Sequence, residues 1–140
     1  MVLRSSLLLS SLLLNSEAWV NLSDKNIRSL EQTDEILLAK ILDSEANTSN
    51  VFKYLELGVY PVRYEIMKRK ILFLHYLLQQ HKHSMIYKVL ESTRQNPLNN
   101  DFVKTCEKYL KQLDMNPTFE QIGLLSPWSV NKTKNSCSCI

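Results

Sequence analysis

The sequence predicts an all-α protein, an irregular bundle of about five to seven helices with a frayed polar C-terminal tail. Only two glycines occur among 140 residues, whereas an all-β chain usually needs more glycines for its turns. Leucine, lysine, glutamate and glutamine are abundant instead, and all four have high helix propensity. The hydrophobic content of 44% suits one modest core. We therefore expect a single helical domain over 1–125 and a flexible tail over 126–140.

The N-terminal run from Met1 to Leu14 supports two interpretations that the residues alone leave open. One basic residue precedes a short apolar stretch and small residues follow it, which is the outline of a secretory signal peptide. The same leucines could instead form a helix from about Arg4 to Val20 that packs against the next helix. The run is too short to cross a bilayer as a helix.

Two helices are expected between this run and residue 58. Ser23 suits the N-cap of the first helix, which should end near Asp43 and whose apolar face is interrupted by Asp34 alone. Ser49 suits the N-cap of the second, and Gly58 suits the left-handed position that ends a helix. The expected core residues of this short helix are Val51, Phe52, Leu55 and Leu57.

A long helix should begin at Pro61, since proline is favourable at the first helical position, and continue to about Gln80. Ser84 and Asn100 suit the N-caps of two further helices, and a final short helix should start at Thr118. The residues expected to face inward on the three longer helices are Ile66, Met67, Ile71, Leu74, Leu77 and Leu78, then Met85, Ile86, Val89 and Leu90, then Phe102, Val103, Cys106, Tyr109 and Leu110. Phe73 and Tyr76 should widen the apolar face of the first of these helices.

The basic residues are concentrated in the middle of the chain. Residues 16–60 contain four basic and eight acidic side chains, whereas residues 61–94 contain seven basic and two acidic ones. Such a patch could bind phosphates, form the solvated face of a helix, or meet an acidic surface of a larger protein. Tyr64 and Tyr76 lie beside it, and aromatic rings can stack on bases. The candidate nucleic-acid-binding residues are Arg63, Lys68, Arg69 and Lys70.

Residues that would carry catalysis are not grouped in this sequence. The five aspartates are scattered at helical or capping positions, unlike the paired aspartates of a two-metal polymerase site. Three histidines are clustered, and we expect His75 to be partly buried while His81 and His83 are solvated. Cys106 should be a small core residue, and the other two cysteines fall in the polar tail. We therefore expect no catalytic residue, no metal site and no cofactor.

Several motifs occur in a specific order between Phe52 and Leu78. They are Leu55-Glu56-Leu57-Gly58, Pro61, Arg63, Lys68-Arg69-Lys70 and Leu74-His75-Tyr76. This order resembles the region that follows the polymerase core in LINE-type, non-LTR retrotransposon reverse transcriptases. The likeness extends over roughly residues 4–125 of the chain, but the polar ending after Pro127 departs from the basic helix expected next. Truncation or a frame change would explain that departure.

The resemblance implies a non-catalytic fragment from the thumb side of an RNA-copying DNA polymerase. Such a fragment would retain weak binding of RNA or DNA through the helix at 61–80, and its original partner would be the rest of the reverse transcriptase polyprotein. No membrane association is expected, and an intracellular location is favoured over secretion. The alternative is a small secreted or interaction-module helical protein whose leucine-rich N-terminus is a signal peptide or a partner-binding helix.

Overall fold

A computed structural model of the chain describes residues 4–19, 22–45, 48–96, 98, 101–113 and 122. Within these ranges the chain forms six α-helices, a π-helical segment and a 3-10 segment, with no strand, so the predicted all-α class is confirmed. None of the described helices is long and apolar enough to cross a bilayer. The predicted tail over 126–140 and the start of the helix predicted at Thr118 lie outside the described residues.

The chain divides into two compact units, Met1–Ile66 and Met67–Ile140. The first unit has an apolar cluster in which Leu9, Leu13, Val62 and Ile66 are buried. The second has a larger cluster formed by Ile122 and by buried residues of the helices Val62–Leu78, Met85–Gln95 and Phe102–Gln112. The expectation of one domain over 1–125 stays a prediction.

The N-terminal run is interrupted where one continuous helix was expected. A π-helical segment, Arg4–Leu9, leads into the short helix α1, Ser10–Leu12, and a separate 3-10 segment covers Ser16–Ala18. The prediction of a helix from Arg4 to Val20 is therefore wrong. The cause is local, because Asn15 has a φ of 55°, a left-handed conformation that asparagine tolerates better than most residues and that ends a right-handed helix.

Helix α2, Asp24–Ile41, begins and ends as its sequence predicts. The Ser23 hydroxyl accepts a hydrogen bond from the Asn26 N–H at 3.2 Å, so the expected N-cap is confirmed. Asp43 follows the helix with a φ of 47°. The interruption of the apolar face by Asp34 is also present, and this carboxylate lies on the buried side of the helix.

Helix α3, Asn50–Glu56, ends in a left-handed turn at Gly58, whose φ is 60°. The Gly58 N–H donates to the Leu55 carbonyl at 3.1 Å, and the Val59 N–H donates to the Tyr54 carbonyl at 3.0 Å. This pair of hydrogen bonds is the Schellman arrangement. Gly58 therefore ends the helix as predicted.

The predicted core face of α3 is wrong. Val51, Phe52 and Leu55 are exposed, and the buried residue of this helix is Lys53, whose Nζ donates to the Asn50 side-chain oxygen at 3.2 Å. The helix has only two turns, too few for its apolar residues to fix its orientation by themselves. Its orientation follows contacts with α2, towards which the hydroxyl of Tyr54 points.

Helix α4, Val62–Leu78, follows Pro61, whose carbonyl accepts a hydrogen bond from the Tyr64 N–H at 3.0 Å. Pro61 was predicted to be the first residue of this helix, but it is the residue immediately before the helix. The predicted apolar face is confirmed for the residues Ile66, Met67, Ile71, Leu74, Leu77 and Leu78, which are buried or partly buried. Of the two residues expected to widen it, Phe73 is partly buried, but Tyr76 is exposed, so that its assignment to the face is wrong. Val62 and Ile66 belong to the first unit, and the residues from Met67 onward belong to the second.

Helix α5, Met85–Gln95, has the predicted cap but not the predicted face. The Ser84 hydroxyl accepts from the Tyr87 N–H at 3.2 Å. Leu90 is buried, whereas Met85, Ile86 and Val89 are exposed, so their assignment to the core is wrong. Helical spacing identifies an apolar face, but burying that face requires a neighbouring element.

Helix α6, Phe102–Gln112, is capped by Asp101, whose carboxylate accepts from the Lys104 N–H at 3.0 Å. The predicted cap, Asn100, is one residue too early. The predicted inward face is confirmed, with Val103, Cys106, Tyr109 and Leu110 buried and Phe102 partly buried.

We predict that Gly58→Ala lowers the free energy of unfolding by about 1–2 kcal/mol, because a β-carbon disfavours the left-handed conformation. A β-carbon at this position would meet nothing within 4 Å, so backbone strain is the only expected cost. Gly58→Asn is the matched control and should cost less, since asparagine tolerates this region. Urea unfolding followed by circular dichroism measures both, and equal losses in the two variants would contradict the explanation.

Candidate functional site

Arg63, the first of the four candidate basic residues, lies in the first unit and forms an ion pair. Its Nε is 3.3 Å from Oε1 of Glu31 on α2, and its side chain is 43% exposed. A partly exposed pair of this kind contributes little to stability, and water competes for both groups. Arg63 is therefore accessible, but a phosphate would have to compete with a carboxylate for its guanidinium.

The basic triplet on α4 lies in the second unit and is divided by burial. Lys68 and Arg69 are partly exposed, whereas Lys70 has no exposed surface. The Lys70 ammonium lies 5.7 Å from the centroid of the Phe102 ring, within the range of a cation–π contact. Lys70 is consequently a core residue here and cannot reach a phosphate without disturbing its packing, so Lys68 and Arg69 are the accessible members of the triplet.

Cys106 packs beside Lys70 in the same core. Its Sγ is 3.9 Å from the Lys70 carbonyl oxygen, and burial raises the pKa of the thiol to about 12. The thiolate is the nucleophilic form of cysteine, and this environment suppresses it. The predicted role of Cys106 as a core residue is confirmed, and the site offers no activated nucleophile at this position.

Tyr76 presents an exposed aromatic ring on α4, about two turns beyond the basic triplet. The ring is stacked on Phe73, with centroids 6.3 Å apart and an interplanar angle of 15°. Phe73 in turn contacts Phe102 edge to face at a centroid distance of 5.6 Å. Tyr64 is also exposed, but it lies in the first unit.

The three histidines do not form a metal site. His75 is buried, with its Nε2 3.3 Å from the side-chain nitrogen of Gln79, while His81 and His83 are exposed with ring centroids 5.2 Å apart. Among the described residues, no three histidine, cysteine, aspartate or glutamate side chains are arranged to hold a metal ion. His81 and His83 are solvated as predicted, whereas His75 is buried more deeply than the partial burial that was predicted.

The first unit contains a buried ion pair that sequence reasoning missed. Arg4 donates from Nε to Oδ1 of Asp34 at 2.7 Å and from Nη2 to Oδ2 at 2.6 Å. Its Nη2 also donates to the Tyr60 carbonyl at 2.8 Å. The side chains of Arg4 and Asp34 are 5% and 0% exposed. The sequence did contain a signal for this pair: Asp34 is a single carboxylate on an apolar helix face, and Arg4 is a single cation in an apolar run.

Two further groups near this ion pair have altered acidities. The hydroxyl of Tyr54 lies 3.5 Å from Oδ2 of Asp34, and burial followed by the Asp34 charge raises the pKa of Tyr54. Burial and the neighbouring Glu31 raise the pKa of Glu35. Both shifts favour the neutral form, which is expected where carboxylates are crowded on one face of α2.

A second basic surface, also missed from the sequence, lies along α6. Lys104, Lys108 and Lys111 follow one another at helical spacing and line an open groove of about 550 Å³ together with Glu107 and Gln112. The groove has a net positive charge, and its lysines are spread along one helix. The helical spacing of these lysines is visible in the sequence, but the excess of basic over acidic residues is larger in 61–94.

Comparisons with protein-family models, with curated proteins and with solved structures found no match to this chain. The likeness to LINE-type reverse transcriptases therefore rests on the order of the sequence motifs. The accessible side chains of the candidate site are chiefly Lys68, Arg69 and Tyr76 on α4.

We predict that Arg4→Met lowers the free energy of unfolding by about 3–5 kcal/mol, because it leaves a buried carboxylate without its partner. The double variant Arg4→Met/Asp34→Leu should be more stable than Arg4→Met alone, since both charges are then removed. Arg28→Met, at an exposed arginine of α2, is the matched control and should change stability by less than about 0.5 kcal/mol. Urea unfolding measures all three, and a double variant no more stable than Arg4→Met would contradict the ion-pair argument.

We also predict that Cys106 reacts with a thiol reagent at pH 8 about a hundredfold more slowly in the folded chain than in urea, because burial hides the thiol and raises its pKa. A Cys137→Ser/Cys139→Ser background isolates this thiol. A free cysteine peptide serves as the control for the intrinsic rate. Equal rates with and without urea would show that the thiol is accessible in the folded chain.

Proposed function

We propose that this chain is a non-catalytic region of a retrotransposon-derived reverse transcriptase that binds RNA or DNA weakly through the helix at 61–80. The observation that carries the proposal is the order of Gly58, Pro61, Arg63 and the basic triplet. This order coincides with structural roles, because Gly58 ends α3 and Pro61 immediately precedes α4. These two motif residues therefore have structural roles at helix boundaries of this chain.

Electrostatics supports nucleic acid as the ligand. Lys68 and Arg69 are partly exposed neighbours on α4, and cationic side chains attract phosphates by releasing bound counterions. Two or three accessible cations would give weak, salt-sensitive binding with little sequence preference. Weak binding of this kind is what we expect of the proposed non-catalytic region.

Three of the four described aspartates have structural roles, which supports a non-catalytic role. Asp34 is committed to Arg4, Asp101 caps α6, and Asp24 lies in the first turn of α2. A two-metal polymerase mechanism needs carboxylates that face a common, accessible site. Each of these three already has a structural role.

The alternative, in which the leucine-rich N-terminus serves as a signal peptide or as a partner-binding helix, has less support. Leu9 and Leu13 are buried in the apolar cluster of the first unit, and Arg4 is the partner of a buried carboxylate. Removing or withdrawing this segment would expose that cluster and leave Asp34 uncompensated. Burial of the same residues favours a segment that remains part of the folded unit.

We predict that Lys68→Gln/Arg69→Gln weakens binding to RNA and DNA oligonucleotides and reduces the slope of log K against log salt by about 0.7–0.9 for each phosphate that is no longer neutralised. Fluorescence anisotropy at several salt concentrations measures both quantities. Lys88→Gln, which removes an exposed lysine from α5, is the matched control and should bind like the parent chain. An equal loss of affinity in the Lys88 variant, or no binding by the parent chain at low salt, would contradict the proposal.

A further inference from the structure

We infer that Tyr76 is a base-stacking position and that the nucleic acid bound by this chain is single-stranded. The inference rests on the proposed function and names the class of ligand that the helix at 61–80 would take. It is carried by a juxtaposition in the second unit: an exposed tyrosine ring, supported from within by a second ring, on the same helical face as an arginine.

Tyr76 is exposed although its ring packs against a second aromatic ring. The residue is 52% exposed, although its ring is nearly parallel to that of Phe73. Phe73 is itself fixed by its edge-to-face contact with Phe102. Supported in this way, the tyrosine ring should lose little conformational freedom when a base stacks on it, because tyrosine has only two side-chain torsions.

The position of the nearest cations fits a nucleotide on this ring. Arg69 and Tyr76 are seven residues apart on α4, so they lie on the same face about two turns, or roughly 10 Å, from each other. The long side chains of Arg69 and the adjacent Lys68 can extend towards a phosphate that flanks a stacked base. The combination of a basic track and an exposed ring is the arrangement that single-strand-binding proteins use.

A duplex does not fit this surface equally well. The faces of paired bases are covered by their neighbours in the stack, so an exposed aromatic ring gains contact area only with unpaired bases. On a duplex, Lys68 and Arg69 would contact phosphates, but no base would stack on the Tyr76 ring. The aromatic contribution should therefore distinguish single strands from duplexes, whereas the cationic contribution should not.

The test compares the full chain and its variants on three fluorescent ligands at low salt: an oligothymidylate, an abasic strand of the same length, and a hairpin duplex. Tyr76→Ala should weaken binding to the oligothymidylate about tenfold and leave binding to the abasic strand unchanged. Tyr76→Phe should bind like the parent chain, because it retains the ring. Phe52→Ala, at an exposed aromatic residue of α3 outside the helix at 61–80, is the matched control and should also bind like the parent chain.

The possible outcomes separate this inference from the proposed function. If the parent chain binds none of the three ligands, both are overturned. If it binds but Tyr76→Ala is indistinguishable from the parent on the oligothymidylate, or the hairpin is preferred, only the stacking inference is overturned. If Tyr76→Ala loses affinity equally for the abasic strand, or Tyr76→Phe fails like Tyr76→Ala, the loss does not come from base stacking and the inference falls as well. Circular dichroism verifies that each variant is folded.

Discussion

The ion pair between Arg4 and Asp34 is the constraint on which the rest of the first unit depends. A fully buried carboxylate is costly unless it is paired and hydrogen-bonded, and Arg4 satisfies both of its oxygens. The same guanidinium donates to the Tyr60 carbonyl just before α4. One side chain thus connects the N-terminal segment, the middle of α2 and the start of α4. Breaking it should affect all three, because each depends on the charge of Arg4 being present.

This pair also explains two otherwise unrelated features of the first unit. The N-terminal segment must be held close enough to α2 for Arg4 to reach Asp34, and this position brings Leu9 and Leu13 into the apolar cluster. The hydroxyl of Tyr54 approaches the same carboxylate, so α3 turns a polar side towards α2. The apolar residues of α3 are exposed as a consequence. On α3, a polar contact with α2 and the exposure of apolar residues therefore occur together.

The sequence was sufficient where structure is determined locally. The caps at Ser23 and Ser84 and the left-handed stop at Gly58 depend on residues within a few positions, and each was predicted correctly. The inward faces of α4 and α6 were also predictable, because these helices carry apolar residues over several turns. Sequence reasoning failed where an answer depended on distant partners. Periodicity could not show that α5 exposes Val89, and composition treats a lysine such as Lys70 as solvent-exposed.

The reversal of expected roles on α4 has a consequence for the candidate site. Lys70, which was predicted to bind nucleic acid, is buried with its ammonium over the Phe102 ring. Tyr76, which hydrophobicity alone would assign to a core, is exposed. Burial of Lys70 leaves fewer charges to attract phosphates, so salt-dependent affinity from this helix must be small. Exposure of a supported ring adds an interaction that salt does not screen. If the proposed nucleic-acid binding holds, the balance on this helix shifts from charge towards stacking. Selectivity would then come from whether bases are unpaired, because Lys68 and Arg69 would contact the backbone of any strand.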